Sequence, residues 1–208
     1  GLDYRYLAFD VNEETLPTAV AGLKVLGARG FNLTMPDKNL MVSLCDELST
    51  AARIIGAVNT VVNENGRLIG HNTDGIGYMQ SVKDAGYDII GKKMTLLGAG
   101  GAATAILVQA ALDDIKEISV FVRPTSRFYD RLVHTVDELT KITDCKIKIC
   151  DFSDADLLKK ELVDSAILTN GTSVGMTPHE DTCPVPEDLT FPKDLIISDI
   201  IYNPRETK

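Results

Sequence analysis

An α/β protein in two parts, the second built on a doubly wound parallel sheet, is the fold class the sequence predicts. Strand-length apolar runs alternate with segments of helical period over about 115 residues after Asp88, the pattern that successive βαβ units produce. A glycine turn, "LLGAGGAAT", stands between one such strand and an alanine-rich helix. Before Asp88 the segments are shorter and include a hairpin signal, and the character changes between Asp88 and Lys92. The expected division is therefore residues 1–88 as one α/β domain and residues 89–208 as another.

In the first part "YRYLAFDV" (Tyr4 to Val11) alternates like a strand, "ETLPTAVAGLKVLG" has helical period, and "GFNLTMP" reads as a second strand, so a βαβ unit is expected. After Pro36, "DKNLMVSLCDEL" turns helical. "STAARIIG" reads as a short helix with Ser49 as N-cap and Gly56 just past its end. "AVNTVV" and "RLIGHNT" flank "NENG", whose Asn65-Gly66 pair is the residue choice a tight hairpin turn demands. "DGIGYMQSVKDAG" closes this part as a helix running from Asp74 to Gly86.

In the second part "KKMTLL" is a buried strand and "EISVFVR" the strand after the crossover. A helix through "RFYDRLVHTVDELT", a strand at "CKIKICD" and a helix at "DADLLKKEL" come next, and "SAILTNGTSVGM" and "LIISDIIYNP" complete the strands.

Composition excludes several classes of function. With 44% apolar and 25% charged residues in 208, the chain is an ordinary globular one. Thirty acidic against 21 basic side chains give a net charge of −9, and no Lys/Arg block occurs. Nucleic acids and anionic membranes both demand a positive footprint, so neither is an expected partner. Cys45, Cys145, Cys150 and Cys183 show neither paired CxxC spacing nor the density of a disulfide scaffold, and read as reduced thiols of a cytoplasmic protein. There is no apolar run of about 18 residues and no basic, then apolar, leader at "GLDYRYLAFD". No metal site is assigned.

Gly98, Gly100 and Ala103 have G-x-G-x-x-A spacing. Gly98 permits the tight turn, Gly100 lets backbone N–H groups approach a pyrophosphate, and the small Ala103 lets helix pack close to strand. The helix start adds orphan N–H donors and a positive dipole end. The flanking strand and helix supply the context of a Rossmann-type dinucleotide site. A ribose reader belongs at the end of the next strand, where Arg123, Thr125, Ser126 and Arg127 stand and no carboxylate occurs before Asp130. Guanidinium and hydroxyl groups suit the 2′-phosphate of NADP, a carboxylate the 2′-hydroxyl of NAD. NADP is the preferred cofactor, with NAD the alternative.

Lys38 and Asp74 each come after a strand of the first part, and strand ends are where ligand sites gather in open α/β sheets, so the spacing allows both to face one cleft. Taken singly they have plainer explanations. Lys38 reads as a solvated charge, Asp74 as a helix N-cap, and Asn59 as an edge-strand position or a satisfied core amide.

Six stretches, "FNLTMPDK", "GAVNTVV", "GHNTDGIGY", "LLGAGGAA", "NGTSVGM" and "IIYNPRET", together resemble, in order and spacing, the motifs of the shikimate dehydrogenase family, most closely its quinate/shikimate dehydrogenase branch. The likeness spans essentially the whole chain. It implies a reversible NAD(P)-dependent hydride transfer that interconverts 3-dehydroshikimate and shikimate, in aromatic amino-acid biosynthesis or quinate metabolism. It implies Lys38 and Asp74 as the general acid/base pair, Thr34 and Asn59 as ligands of ring hydroxyls, and Tyr202 on the substrate-carboxylate side. For the cofactor it implies Gly98, Ala99, Gly100, Gly101 and Ala102 at the pyrophosphate, and Asn170, Thr172 and Met176 of "NGTSVGM" beside the nicotinamide. The first part becomes a substrate domain, and the protein a monomer or homodimer.

Two departures from the family pattern stand out. The chain opens at about the family's second strand and stops after Tyr202-Asn203-Pro204, without the upstream serine motif or the downstream glutamine helix, so a piece lacking both ends is expected. At the ribose loop Val122 replaces the usual Asn, and Pro124 stiffens the loop itself. Two other readings share the plan: a related two-domain dehydrogenase such as a methylenetetrahydrofolate dehydrogenase, and a nucleotide-binding module without turnover.

Overall fold

A computed structural model describes residues 3–178 and 180–208 and divides the chain into two units, Gly1–Thr73 and Asp74–Lys208. In the first, α1 (Leu16–Val25) opens with Pro17 in its first turn, where the missing N–H is no loss, and buries Leu16 and Val20. Then come β1 (Gly30–Asn32), a 3-10 helix at Leu40–Leu44, β2 (Glu47–Leu48) and α2 (Thr50–Ile55). The hairpin strands β3 (Thr60–Glu64) and β4 (Arg67–His71) complete the unit.

The sheet has the order β1-β3-β4-β2, with β2 parallel to β4 and the other pairs antiparallel. Asn65 and Gly66 both take positive φ (53° and 89°), the geometry that a two-residue hairpin turn matched to strand twist requires. The Ser49 side chain accepts from the Ala52 N–H, and Gly56, at φ 65°, ends α2 in the left-handed region. Leu16, Val20, Met41, Ala52, Val58, Val61 and Leu68 form the core of this unit.

Three expectations for this unit are corrected. Tyr4 to Val11 forms no strand, and Tyr4, Tyr6, Leu7 and Phe9 are exposed. Alternation alone does not make a strand, because its backbone groups must also find a ladder partner; the expected βαβ unit is absent with it. The strand before Lys38 ends at Asn32, earlier than Pro36. The helix expected after Pro36 is a turn followed by the five-residue 3-10 helix.

In the second unit α3 (Asp74–Asp84) leads to β5 (Lys93–Leu97), α4 (Gly101–Leu112) and β6 (Glu117–Val122). Next are α5 (Tyr129–Thr140), β7 (Lys146–Asp151), α6 (Ala155–Leu162), β8 (Ile167–Asn170) and β9 (Ile196–Asp199). All five strands are parallel, in the order β7-β6-β5-β8-β9. The chain thus builds outward from β5 on one side and then returns to lay β8 on the other. The C-terminal ends of β5 and β8 are therefore the switch point at which open α/β sheets hold ligands. α4 is buried almost all round, as its Ala-rich sequence requires. The unit begins at Asp74, so α3, grouped by the sequence reading with the first domain, packs within the second.

A charged cluster fastens the other end of this sheet. Lys93, nearly buried, lies 2.7 Å from Glu161 and 2.6 Å from Asp164, and Ser119 donates to Glu161 at 2.6 Å. Burial pushes the Glu161 carboxyl up, but hydrogen bonds from Lys93 and Ser119 and the charges of Lys93 and Lys148 outweigh it and hold its pKa down to about 2. A depressed carboxyl contributes stability that is complete above its unfolded value, about 4.3, and lost as pH falls through about 2. Glu161→Gln is expected to lower unfolding free energy by ~3 kcal/mol at neutral pH and to flatten the stability profile between pH about 4 and about 2. Urea unfolding at several pH values measures both, and a wild-type profile would show that the cluster stabilises nothing.

Among the described residues no helix is long and apolar enough to cross a membrane. The four cysteines are free thiols, as expected, and burial pushes those of Cys45 and Cys145 up to about 11, which makes them poor nucleophiles.

Candidate functional site

The glycine turn occupies the switch point of the parallel sheet. Gly98 has φ +98°, and a Cβ on it would stand 2.9 Å from Thr172 Cγ2 and 3.1 Å from the Gly171 carbonyl oxygen. Only glycine meets both demands. Around Gly100 and Gly101, by contrast, a Cβ would meet nothing within 4 Å. That open space lies at the N-terminus of α4, whose first-turn N–H groups have no acceptor inside the helix. A strained turn, an open approach and oriented donors suit a pyrophosphate, so Gly98, Ala99, Gly100, Gly101 and Ala102 fit a dinucleotide.

At the end of β6, Arg123, Thr125 and Arg127 are exposed on a loop closed by the Ser126 N–H bonding to the Arg123 carbonyl. The Arg127 guanidinium lies 4.7 Å over the Phe128 ring centroid, which presets its direction.

The segment after β8 is organised by Asn170. Its Oδ1 accepts from the Thr172 N–H at 3.0 Å and the Thr172 hydroxyl at 2.7 Å, while its Nδ2 donates to Asp199 at 3.2 Å and to the Val174 carbonyl at 3.4 Å. Asn170 is buried, and these four bonds satisfy it. These bonds fix the start of the loop that carries Thr172 and Met176. Asp199 also accepts from the Ile201 N–H and the Thr207 hydroxyl, so one carboxylate orders both this loop and the segment carrying Tyr202, itself exposed. Sequence reading passed over Asp199; a carboxylate closing an apolar strand was its only signal.

In the first unit Lys38, half-buried, lies in the turn after β1, and its carbonyl accepts from the Val58 N–H at 2.8 Å. Thr34 is exposed four residues earlier, and its carbonyl accepts from the Asp37 N–H. Asn59 is buried, and its Oδ1 accepts from the Thr73 N–H at 3.0 Å, the Thr73 hydroxyl at 3.2 Å and the Thr60 hydroxyl at 3.0 Å.

Two neighbours were missed. Asn32 donates to the Thr60 hydroxyl at 3.0 Å, beside Asn59, and strand period two from Thr34 would have found it. Asp37, next to Lys38, is buried, and among the described residues its Oδ1 has no hydrogen-bond partner. Asp74 is exposed at the first position of α3, in the second unit, so the two residues expected as an acid/base pair belong to different units. Among the described residues no group of three or more His, Cys, Asp or Glu is arranged to hold a metal ion.

Comparison with known proteins adds descent to this geometry. Residues 1–61 match the shikimate dehydrogenase substrate binding domain. The shikimate dehydrogenase (NADP(+)) of Listeria monocytogenes serotype 4b is 50% identical over 208 residues, all of this chain and 71% of that protein. The crystal structure of shikimate 5-dehydrogenase from Listeria monocytogenes, in complex with shikimate and NAD, superposes with a TM-score of 0.94 at 49% identity, covering 99% of this chain and 71% of that one. A ligand-free 5-ketofructose reductase from Gluconobacter is more distant, at 34% identity and a TM-score of 0.82 over the same shares. Identity in every second residue, sustained from end to end of the chain, exceeds what a shared fold alone produces, and the chain belongs to the shikimate dehydrogenase family.

Proposed function

We propose that this chain is an NAD(P)-dependent shikimate or quinate/shikimate dehydrogenase, an oxidoreductase that interconverts 3-dehydroshikimate and shikimate. The observation that carries the reading is the 50% identity with a shikimate dehydrogenase (NADP(+)) over the full chain. Bound in the turn Gly98 to Ala102, the dinucleotide supplies the hydride acceptor of one direction and the donor of the other.

The chain's own residues handle the substrate and the proton. When a ring ketone is reduced, negative charge develops on its oxygen, and an ammonium group stabilises that charge and delivers a proton. Lys38 takes this role, with Asp74 as the other member of the acid/base pair. Thr34 and Asn59 recognise ring hydroxyls, and a site built for a hydroxyl rejects an analogue lacking it by up to ~10⁴-fold. Tyr202 serves the carboxylate side. Arg123, Thr125 and Arg127 read the 2′-phosphate of NADP, the preferred cofactor over NAD. The free thiols and the acidic surface suit a cytoplasmic enzyme with small-molecule partners, working as a monomer or homodimer.

The test is to measure formation of reduced nicotinamide by the full-length protein with shikimate or quinate and NADP+ or NAD+. Shikimate with NADP+ is expected to give the highest kcat/KM, and no reduction with any of the four pairs overturns the proposal. The double variant Arg123→Ala/Arg127→Ala is expected to weaken NADP+ at least ~tenfold, a charge-assisted hydrogen bond contributing about 1.5–3 kcal/mol, and to leave NAD+ nearly unaffected. Unchanged NADP+ affinity refutes the 2′-phosphate reading.

A further inference from the structure

Asp74 is the first residue of α3, so whatever fixes α3 fixes its carboxylate. The buried stripe Gly75, Tyr78, Met79 and Val82 has helical spacing and turns toward the rest of the second unit. Two contacts on it are specific. A Cβ placed on Gly75 would overlap the Ala105 carbonyl oxygen and stand 2.6 Å from Gln109 Cβ, so α3 meets α4 backbone to backbone at this point. Three residues on, the buried Tyr78 hydroxyl shares a 2.5 Å hydrogen bond with the Thr169 hydroxyl of β8. Both anchors are on elements of the dinucleotide site: α4 begins at Gly101, and β8 ends at Asn170.

The same helix holds its own control. Around Gly77 a Cβ would meet nothing within 4 Å. Alanine is the better helix former by about 1 kcal/mol at either position, so propensity explains neither glycine, and only Gly75 has a steric reason to be one.

We propose that Gly75 is a positioning residue for Asp74: its missing side chain sets the separation of α3 from α4 and so holds the Asp74 carboxylate in place relative to the dinucleotide turn, with the Tyr78–Thr169 bond as a second tether. The inference rests on the catalytic reading of Asp74. A methyl group at Gly75 must push α3 outward by about 1 Å, and a misplacement of that size lowers turnover by up to ~10²-fold. The turn at Gly98 joins β5 to α4, and Gly98 packs against Gly171 and Thr172.

The experiment compares Asp74→Asn, Gly75→Ala, Gly77→Ala, Tyr78→Phe and the double variant Asp74→Asn/Gly75→Ala in the full-length enzyme, measuring kcat, NADP+ dissociation constant and thermal unfolding. Gly75→Ala is expected to lose ~10- to 100-fold in kcat with NADP+ affinity within about twofold of wild type, and Gly77→Ala to keep wild-type kcat. Tyr78→Phe is expected to lose kcat about fivefold, again without loss of NADP+ affinity. The double variant should turn over no more slowly than Asp74→Asn alone, because residues acting through one group are not additive. Wild-type kcat in Gly75→Ala, or a double variant slower by the full product of the single effects, overturns the inference. Should Gly75→Ala fail to fold, Tyr78→Phe decides, and an unchanged kcat in that variant overturns it equally. An inactive Asp74→Asn beside a fully active Gly75→Ala refutes the positioning role alone, whereas an active Asp74→Asn refutes the catalytic reading beneath it.

Discussion

Lys38→Ala is expected to lower kcat about 10³-fold while leaving NADP+ affinity within about twofold, the range that loss of a general acid/base group produces. The two halves of this expectation come from different units. Lys38 belongs to the turn after β1 in the first unit, and the glycine turn and ribose loop belong to the second. On the proposed function, removing the ammonium takes away the group that meets developing negative charge and leaves the glycine turn unaltered. The fold is expected to survive, because the bond that ties this turn to the Val58 N–H is made by the Lys38 carbonyl, which alanine retains. Steady-state kinetics with shikimate and fluorescence titration of NADP+ read the two halves separately. A kcat near wild type would return Lys38 to the solvated charges.

Gly98→Ala is the second variant with a large expected effect, and here the loss is in binding. The methyl group must enter a position 2.9 Å from Thr172 Cγ2 and 3.1 Å from the Gly171 carbonyl, at a φ of +98° that an L side chain rarely adopts. Both the β5 turn and the loop after β8 must shift. Cofactor affinity is expected to fall ~100-fold for NADP+ and NAD+ alike, with a loss of ~2–3 kcal/mol in stability. Gly100→Ala separates the two effects. Its Cβ would enter open space, so stability should hold while the dinucleotide is excluded from the approach. Wild-type affinity in Gly98→Ala would mean that the pyrophosphate lies elsewhere.

Most of the second unit was legible because each of its segments is locally consistent. The β5 and α4 sequences are buried almost throughout and carry no competing pattern, and the glycine turn between them has one steric solution. The first unit was harder to read. "YRYLAFDV" has strand alternation but no ladder, and alternation reports which faces differ, not whether a neighbouring strand supplies hydrogen bonds. "DKNLMVSLCDEL" has apolar residues at helical spacing, yet only Met41 among its 3-10 residues is fully buried, and packing around that one side chain leaves the rest as turn. Of the residues singled out, Asn170 is the one whose surroundings its type and place disclosed least: its four hydrogen bonds go to Thr172, Val174 and Asp199.

By itself the sequence determined the parallel α/β plan of the second unit, the dinucleotide turn, the hairpin at Asn65-Gly66 and, through six ordered stretches, the family. Each of these rests on short-range chemistry: a φ only glycine adopts, a period, a cap, a spacing. What only the tertiary structure decided is how side chains far apart in sequence share hydrogen bonds and space. It decided that Asp199 and Asn170, 29 residues apart, form one scaffold, and that the Asn59 oxygen is saturated by Thr60 and Thr73. It decided too that Gly75 is glycine because of a backbone oxygen 30 residues further along the chain, at Ala105. The reason is physical: close packing and hydrogen-bond saturation are properties of which atoms meet, and one residue's type does not state its neighbours.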